Sequence, residues 1–591
     1  MTRTLLEKVR SYIDSPTGAH AALAGAFIFA VLVTVLFITP GAYGPIHFSD
    51  ELRYWETALS LADGSFKVAL YHHYPPLYPL SLLPAMLFFS PYQAYEAAKA
   101  LNALYLCSAI FPAYLLLRKF TPRWVSVCGA AFLLLYPVQV VMPRSIISEN
   151  LFYPLFMWAL RFAFGDVLPG RSKNRWNEAI LFGLLLGGLM LTRYIALALV
   201  PAFLLIWWLK PDQGERGWLL LSWKKIGHLL AVLLPLTGLV GVWLLLGARE
   251  GVPLKDLLGF FLTEDSNPAQ LGLDRLLMWA LFYLSFTLLI AAPYLTLLLE
   301  ALPRVHWRRW REAVPRWWTS MAILVAFFLL AVVRHSWRAA YNYPDPSRLH
   351  ERYVLYFGPL FILTVVIMLW QQDKLKTRRI LASVGLAMAL SGLAYALLFY
   401  GIAFVDYGLD ISRSSPFGYI ILSLDEMFLL LTGALNAIAG LAMWKGRKGV
   451  LGVYAACLAA FFIFGEVKVF QSILLPRQIS NAQMAGVLRH IEDSQILQED
   501  FREGPVVVTA NATITDNQLR KWEYTLFFNG YQNIKFRRAG ENELDQDTLM
   551  RVSFDGYSLR LREVEEKLYQ SLPGDRFKFL GDFYTLTEGK S

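Results

Sequence analysis

Two adjacent carboxylates, Asp50 and Glu51, head a segment in which Leu52, Trp55, Leu59 and Ala62 recur at helical spacing before Gly64. This predicts an amphipathic helix at a membrane surface with Ser49 as its N-cap. A carboxylate held there can act as general base toward an acceptor group, or orient it. The alternative is that both acids complement the helix dipole, a contribution of roughly several tenths of a kcal/mol. Asp50 is the better placed of the two, since it follows the cap and faces a long polar segment. A third carboxylate, Glu149, lies in Arg144–Pro154, RSIISENLFYP, at the mouth of an apolar stretch, where an acid is costly unless paired or functional. The bland reading makes Ser148 an N-cap with Glu149 in the first turn.

Cations that could meet an anionic substrate are fewer. Arg193, in LTRYIAL, stands between two apolar runs and either snorkels to the interface or holds an anionic headgroup. In the run PDPSRLHERYVLYFGPL, Arg348, His350, Glu351 and Arg352 immediately precede another apolar run. An arginine fork there would make bidentate contacts to a phosphate and stabilise charge on a leaving group, unless its members only pair with Glu351. The motif YHHYPPLYPL carries His72, His73 and Tyr74 in a Pro- and aromatic-rich return from the surface. Consecutive histidines rarely ligate one ion, because neighbouring side chains diverge. His73 and Tyr74 therefore enter the reading as donor-binding candidates, and no metal ligand set is assigned.

The elements that must position these residues are membrane helices. Of 591 residues 56% are apolar and 17% charged, with a mean hydropathy of +0.42, and runs of about 20 apolar residues recur up to about Phe470. Approximate spans are 20–40, 95–117, 124–142, 151–165, 178–192, 195–209, 228–247, 275–300, 317–334, 353–372, 380–404, 418–443 and 449–470, about thirteen in all. The first is too long for a signal peptide and reads as a retained anchor behind a short amphipathic helix. The pair meeting at Thr192–Tyr194 could instead be one tilted helix. Basic clusters recur at every second loop, with tryptophans flanking them, which places the N-terminus in the cytoplasm and the C-terminus outside. Four segments then face outward, near 41–94, 143–150, 248–274 and 334–352, and Arg348–Arg352 lie on the side where topology does not call for cations. The net charge of +10 is explained by these loop clusters rather than by nucleic acid binding. Cys107, Cys128 and Cys457 all fall in apolar runs, which excludes a disulfide framework. From about Gln471 the chain becomes polar and reads as a small α/β domain, with a strand at 506–509, a helix at 559–572 and a closing strand at 577–586. The domains expected are 1–470 in the membrane and 471–591 outside it.

In this order, the acidic pair Asp50 and Glu51, the return Pro75–Pro76–Leu77, the acidic Glu149 and the TR and ERY elements at Arg193 and Arg352 resemble the GT-C membrane glycosyltransferases of the protein-mannosyltransferase and lipid A aminoarabinose-transferase type. The resemblance spans nearly the whole chain. It implies inverting sugar transfer from a polyprenyl-phosphate carrier to a lipid, glycan or protein acceptor of the cell envelope, in a bacterial plasma membrane. Asp50 inherits the catalytic role and Glu149 the second acidic position, with Glu51 beside them. Arg193, Arg348, His350 and Arg352, with Tyr74 and His73, hold the carrier. Tyr74 stands where aminoarabinose transferases resemble a Lys-Pro-Pro return, so a donor-phosphate lysine does not carry over. No tightly bound cofactor is expected beyond the polyprenyl-phosphate sugar as donor, and family members differ in their use of a divalent metal.

Two other classes fit parts of the pattern. A transporter or lipid flippase would also need many helices and buried cations, but places them near the midplane, often in two similar halves that this chain lacks. A scaffold with an outer binding domain is compatible with the same helices.

Overall fold

The computed structural model describes residues 2–42, 44, 48–71, 74–89, 91–164, 175–209, 223–253, 257, 272–302, 312–339, 354–371, 377–399, 416–445, 448–475, 506–510, 528, 534–538, 551–554 and 559–563. The chain is an integral membrane protein. Among the described residues eight helices are long and apolar enough to cross a bilayer, and nine if a pair bent by 56° within Arg123–Arg144 is one span. Trp176–Thr192, Ala196–Trp208 and Phe357–Gln371 are apolar but shorter. The outward faces carry large apolar side chains such as Phe29, Phe37, Leu245 and Leu430, each at least 70% exposed, a pattern that suits hydrocarbon and not water.

Two features of the sequence reading change, and one alternative is settled. The run expected as one helix from 124 to 142 is broken at Tyr136–Pro137, where proline interrupts the backbone ladder. The run expected from 418 to 443 is two helices, Pro416–Leu424 and Met427–Lys445, separated at Asp425 with φ of 49°. Around Thr192–Tyr194 the two helices read from the sequence are present, as Arg175–Thr192 and Ala196–Trp208, and the alternative of one tilted span falls.

Breaks inside a membrane leave backbone groups that must find partners within the protein. At Ala292–Tyr294 the helix beginning at Leu273 tightens into a single 3-10 turn. There Asn436 closes the gap: its Nδ2 donates to Ala292 O at 2.7 Å, and its Oδ1 accepts from Thr296 N at 2.8 Å. Close helix contact comes from small residues. A Cβ at Gly183 would lie 2.1 Å from Val232 O, and one at Gly187 3.0 Å from Leu239. The Gly-x-x-x-Gly face of Arg175–Thr192 therefore sits backbone to backbone against Trp223–Arg249.

A second, smaller core lies apart from the main apolar cluster. It joins Tyr54, Trp55 and Ala58 of the surface helix Phe48–Ala62 with Tyr78 and Leu82 of the Pro-rich return, Tyr95 and Ala98 of the helix Pro91–Ser108, and Ile146 of the segment 143–150. Phe528, far along the chain, belongs to the same cluster. The surface helix ends where the sequence reading places it, with Gly64 at φ of 78°. It begins earlier, at Phe48, so Ser49 lies inside its first turn and is not the N-cap. Its buried face runs through Glu51, Tyr54, Trp55 and Ala58, rotated from the expected stripe of Leu52, Trp55, Leu59 and Ala62.

After the last membrane helix, four strands form one sheet in the order β2-β1-β3-β4, from β1 (Val506–Ala510), β2 (Ile534–Arg538), β3 (Arg551–Phe554) and β4 (Leu559–Glu563). β1 pairs parallel with β2 and β3, and β3 pairs antiparallel with β4. The strand read at 506–509 is present. The helix read at 559–572 opens instead as a strand over Leu559–Glu563, because Leu559 and Leu561 alternate with Arg560 and Arg562 at the period of a pleated sheet, and its remainder at 564–572 lies outside the described residues. The strand read at 577–586 lies outside the described residues.

Candidate active site

Successive residues on a helix are about 100° apart, so Asp50 and Glu51 address different neighbours. Asp50 is partly exposed and its Oδ1 accepts a hydrogen bond from Tyr74 Oη at 2.7 Å. Glu51 is fully buried and its Oε2 accepts from Ile146 N at 2.8 Å. The first acid faces the Pro-rich return; the second ties the surface helix to the segment 143–150.

One turn further on, Tyr54 lies between the Pro-rich return and the segment 143–150. Its ring stands edge-on to Tyr74 at 4.8 Å and to Tyr78 at 5.2 Å. Its hydroxyl is 2.7 Å from Ser148 Oγ. Burial pushes the Tyr54 phenol well above its ordinary value; Arg193 opposes that shift, and Glu149 and Asp50 add to it. These causes locate the hydroxyl among all three charged groups. At pH 7 Tyr54 is a neutral phenol able to donate one hydrogen bond.

Ser148 Oγ also lies 3.5 Å from Glu149 Oε2, and Glu149 is ion-paired with Arg193. Both partners are buried, at 1% and 7% exposure. The expected cap is therefore not the use of the Ser148 hydroxyl, which bridges Tyr54 and Glu149. Arg193 is presented by the break between two helices, its own N–H still bonded to Leu189 O at 2.9 Å and its carbonyl accepting from Ala196 N at 3.1 Å. The two family-like positions Glu149 and Arg193, separated in sequence, form one pair.

The segment 143–150 owes its shape to side-chain amides. Asn102 Nδ2 donates to Ser145 O at 2.9 Å, and Asn150 Nδ2 donates to Ser145 O and Ile147 O at 2.9 and 3.0 Å. Tyr78 Oη in turn donates to Asn102 Oδ1 at 2.9 Å. Burial holds the Tyr78 phenol far above its usual range, so this donor is permanent. The result is a fixed row running Tyr74, Asp50, Tyr54, Ser148, Glu149, Arg193, with the partly exposed carboxylate of Asp50 near its Tyr74 end.

The architecture is similar to two known structures. ArnT from Cupriavidus metallidurans bound to undecaprenyl phosphate matches over 90% of this chain and 87% of its own, at 15% identity and a TM-score of 0.48. The oligosaccharyltransferase of Archaeoglobus fulgidus, tethered to an acceptor peptide containing the NVT sequon, matches over 88% of this chain and 64% of its own, at 12% identity and a TM-score of 0.41. Both are GT-C glycosyltransferases. At that level of similarity neither assigns a substrate or a residue role to this chain. No family model and no curated protein sequence matches it.

His73, Arg348, His350 and Arg352 lie outside the described residues. Among the described residues no group of three or more His, Cys, Asp or Glu side chains could hold a metal ion. Of the residues singled out in the sequence, the structure brings Asp50, Glu51, Tyr74, Glu149 and Arg193 together. The sequence reading missed Tyr54, Ser148 as a bridge, and the amides Asn102 and Asn150. Tyr54 was recoverable, since it lies one helical turn beyond Asp50 and Glu51. The position of Asn102 inside an apolar run was a second signal.

Proposed function

We propose that this protein transfers a sugar from a polyprenyl-phosphate carrier to an acceptor of the cell envelope on the extracytoplasmic face, with inversion at the anomeric carbon. The observation that carries the reading is the row from Tyr74 to Arg193. It places one partly exposed carboxylate, one neutral phenol and one buried carboxylate–guanidinium pair together at a helix outside the candidate spans. In the reaction the acceptor oxygen attacks the anomeric carbon, the bond from that carbon to the phosphate oxygen breaks, and the phosphate leaves with the bonding pair. Asp50 takes the acceptor proton, or positions the acceptor where it is already ionised. Glu149 fixes Arg193 toward the carrier phosphate, and Arg348, His350 and Arg352 supply further contacts to it, together with His73 and Tyr74. Glu51 acts through the loop it holds rather than on substrate.

On this reading about thirteen membrane passes form residues 1–470, the N-terminus is cytoplasmic, and residues 471–591 form an extracytoplasmic domain. The seat of Phe528 between Trp55 and Tyr95 supports a tail on the same side as the surface helix. The partners are the lipid-linked donor, the acceptor and the surrounding bilayer.

The test is transfer from radiolabelled polyprenyl-phosphate sugars by purified protein and by Asp50→Asn. The variant is expected to fold and to bind donor, with turnover lower by roughly 100-fold or more. Near-normal turnover in well-folded protein would remove Asp50 from the mechanism, and no transfer from any donor by the unaltered chain would remove the reading itself.

A further inference from the structure

Beside the row just described, Arg144, its chain neighbour Ser145 and Tyr95 carry buried polar atoms that have no hydrogen-bond partner among the described residues. All three nitrogens of Arg144, the hydroxyl of Tyr95 and the hydroxyl of Ser145 are buried and make no hydrogen bond among the described residues, and each residue is 0% exposed. Arg144 ends the turn Met142–Arg144, which packs on the helix Pro91–Ser108 that carries Tyr95. Arg144 and Tyr95 lie within electrostatic reach of each other. The guanidinium also stands 5.3 Å from the ring of Phe470.

Nearby acids are committed elsewhere. Glu96 pairs with Lys99 at 2.6 Å, and Lys99 is completed by the carbonyls of Thr39 and Ala42 at 3.2 and 2.9 Å. Glu51 accepts the Ile146 N–H. A buried cation with no counter-charge is strongly disfavoured, and so is every buried donor without an acceptor. One oxyanion would satisfy all of them at once, since a guanidinium fork takes two oxygens of a phosphate and two hydroxyls can reach the others.

We propose that Arg144, Tyr95 and Ser145 form a binding site for a phosphate group, separate from the carrier-phosphate contacts assigned above. Its position suits a headgroup at the membrane boundary. Arg144 closes the bent segment Arg123–Arg144, and Phe470 lies near the end of the span Gly452–Ser472. The proposal stands whether or not the protein transfers sugar, because its readout is binding.

The experiment uses the full chain in detergent and in lipid nanodiscs. Thermal stability is followed against inorganic phosphate, and native mass spectrometry counts the phosphatidate retained from nanodiscs of phosphatidylcholine with and without it. The variants are Arg144→Met and Tyr95→Phe, the second of which keeps the ring against Phe528 and removes only the hydroxyl. Phosphate or phosphatidate is expected to stabilise the unaltered chain and Asp50→Asn alike. Affinity should fall by about tenfold or more in Arg144→Met and by less in Tyr95→Phe. In phosphate-free buffer Arg144→Met should be at least as stable as the unaltered chain, since it removes an unpaired buried charge. A response to inorganic phosphate alone identifies a soluble anion as the occupant, and retention of phosphatidate alone identifies a lipid headgroup. Equal binding by the unaltered chain, Arg144→Met and Tyr95→Phe, binding by none of these, or marked destabilisation of Arg144→Met in phosphate-free buffer would each overturn the site.

Discussion

Adjacent acids in a sequence invite a shared role, yet the helix sends Asp50 to Tyr74 and Glu51 to Ile146. Their substitutions should separate. Glu51→Ala leaves the Ile146 N–H buried without an acceptor and should cost about 1–3 kcal/mol, whereas Asp50→Ala should leave thermal stability nearly unchanged and abolish turnover. Equal stability losses would mean that both acids are structural. Removing one partner of the Glu149–Arg193 pair should cost about 3–5 kcal/mol, and replacing both by apolar residues should cost less. Denaturation of the two single variants and the double variant measures this. Glu56, half-buried on the surface helix, has its carboxyl raised by burial against the opposing pull of Arg53. A carboxyl whose folded value exceeds its unfolded value favours folding at low pH, and that contribution is lost as pH rises through the folded value. Glu56→Gln should therefore raise the melting temperature at neutral pH and change it little at acid pH. Residue types revealed Asp50, Glu149 and Arg193 as candidates from sequence alone. They did not reveal that Glu149 and Arg193 pair, because that contact depends on the break at Arg193 and on how the segment 143–150 folds.

Apolar runs made the membrane helices legible, since bilayer thickness fixes their length. Their interruptions were harder to read. Asp425 adopts φ of 49° without glycine or proline, in a conformation that a short acidic side chain tolerates. Its Oδ1 accepts from Tyr395 Oη at 3.1 Å, a partner 30 positions away that no local pattern announces. The surface helix was found but its face was misjudged, because the stripe was drawn from aliphatic residues while Glu51 and Tyr54 line the buried side. Small residues fix the approach of Arg175–Thr192 to Trp223–Arg249. Gly183→Val would push a side chain into the backbone at Val232 O, so it should lower the melting temperature by several degrees, whereas Gly238→Val, at a position with open space around it, should not. Equal shifts for the two would show that the close contact does not hold these helices together.

For the molecule as a whole, the parity of the spans and the alternation of basic loops expect the C-terminus outside. A reporter active only in the cytoplasm, fused after Ser591, should be silent, and an active one would displace the proposed site as well as the tail. The β-rich character of the tail was partly legible from Val506–Thr509, but the Arg-Leu alternation from Leu559 was misread as helical. Nothing local marked Phe528, whose ring lies 5.4 Å from Trp55 and 5.0 Å from Tyr95. Phe528→Ala should cost about 3–5 kcal/mol if this ring is core, with turnover falling alongside stability. That contact also imposes an order of events on synthesis. Trp55 leaves the ribosome about 470 residues before Phe528, a delay of roughly half a minute to a minute and a half at about 5–20 residues per second. Through that interval the surface helix is already at the membrane while its aromatic seat stays unfilled, so a chain released before residue 528 would carry every acid of the row on an incomplete support. Premature termination would thus yield inserted but idle protein, and the last-made part of the chain would act as its proof of completion.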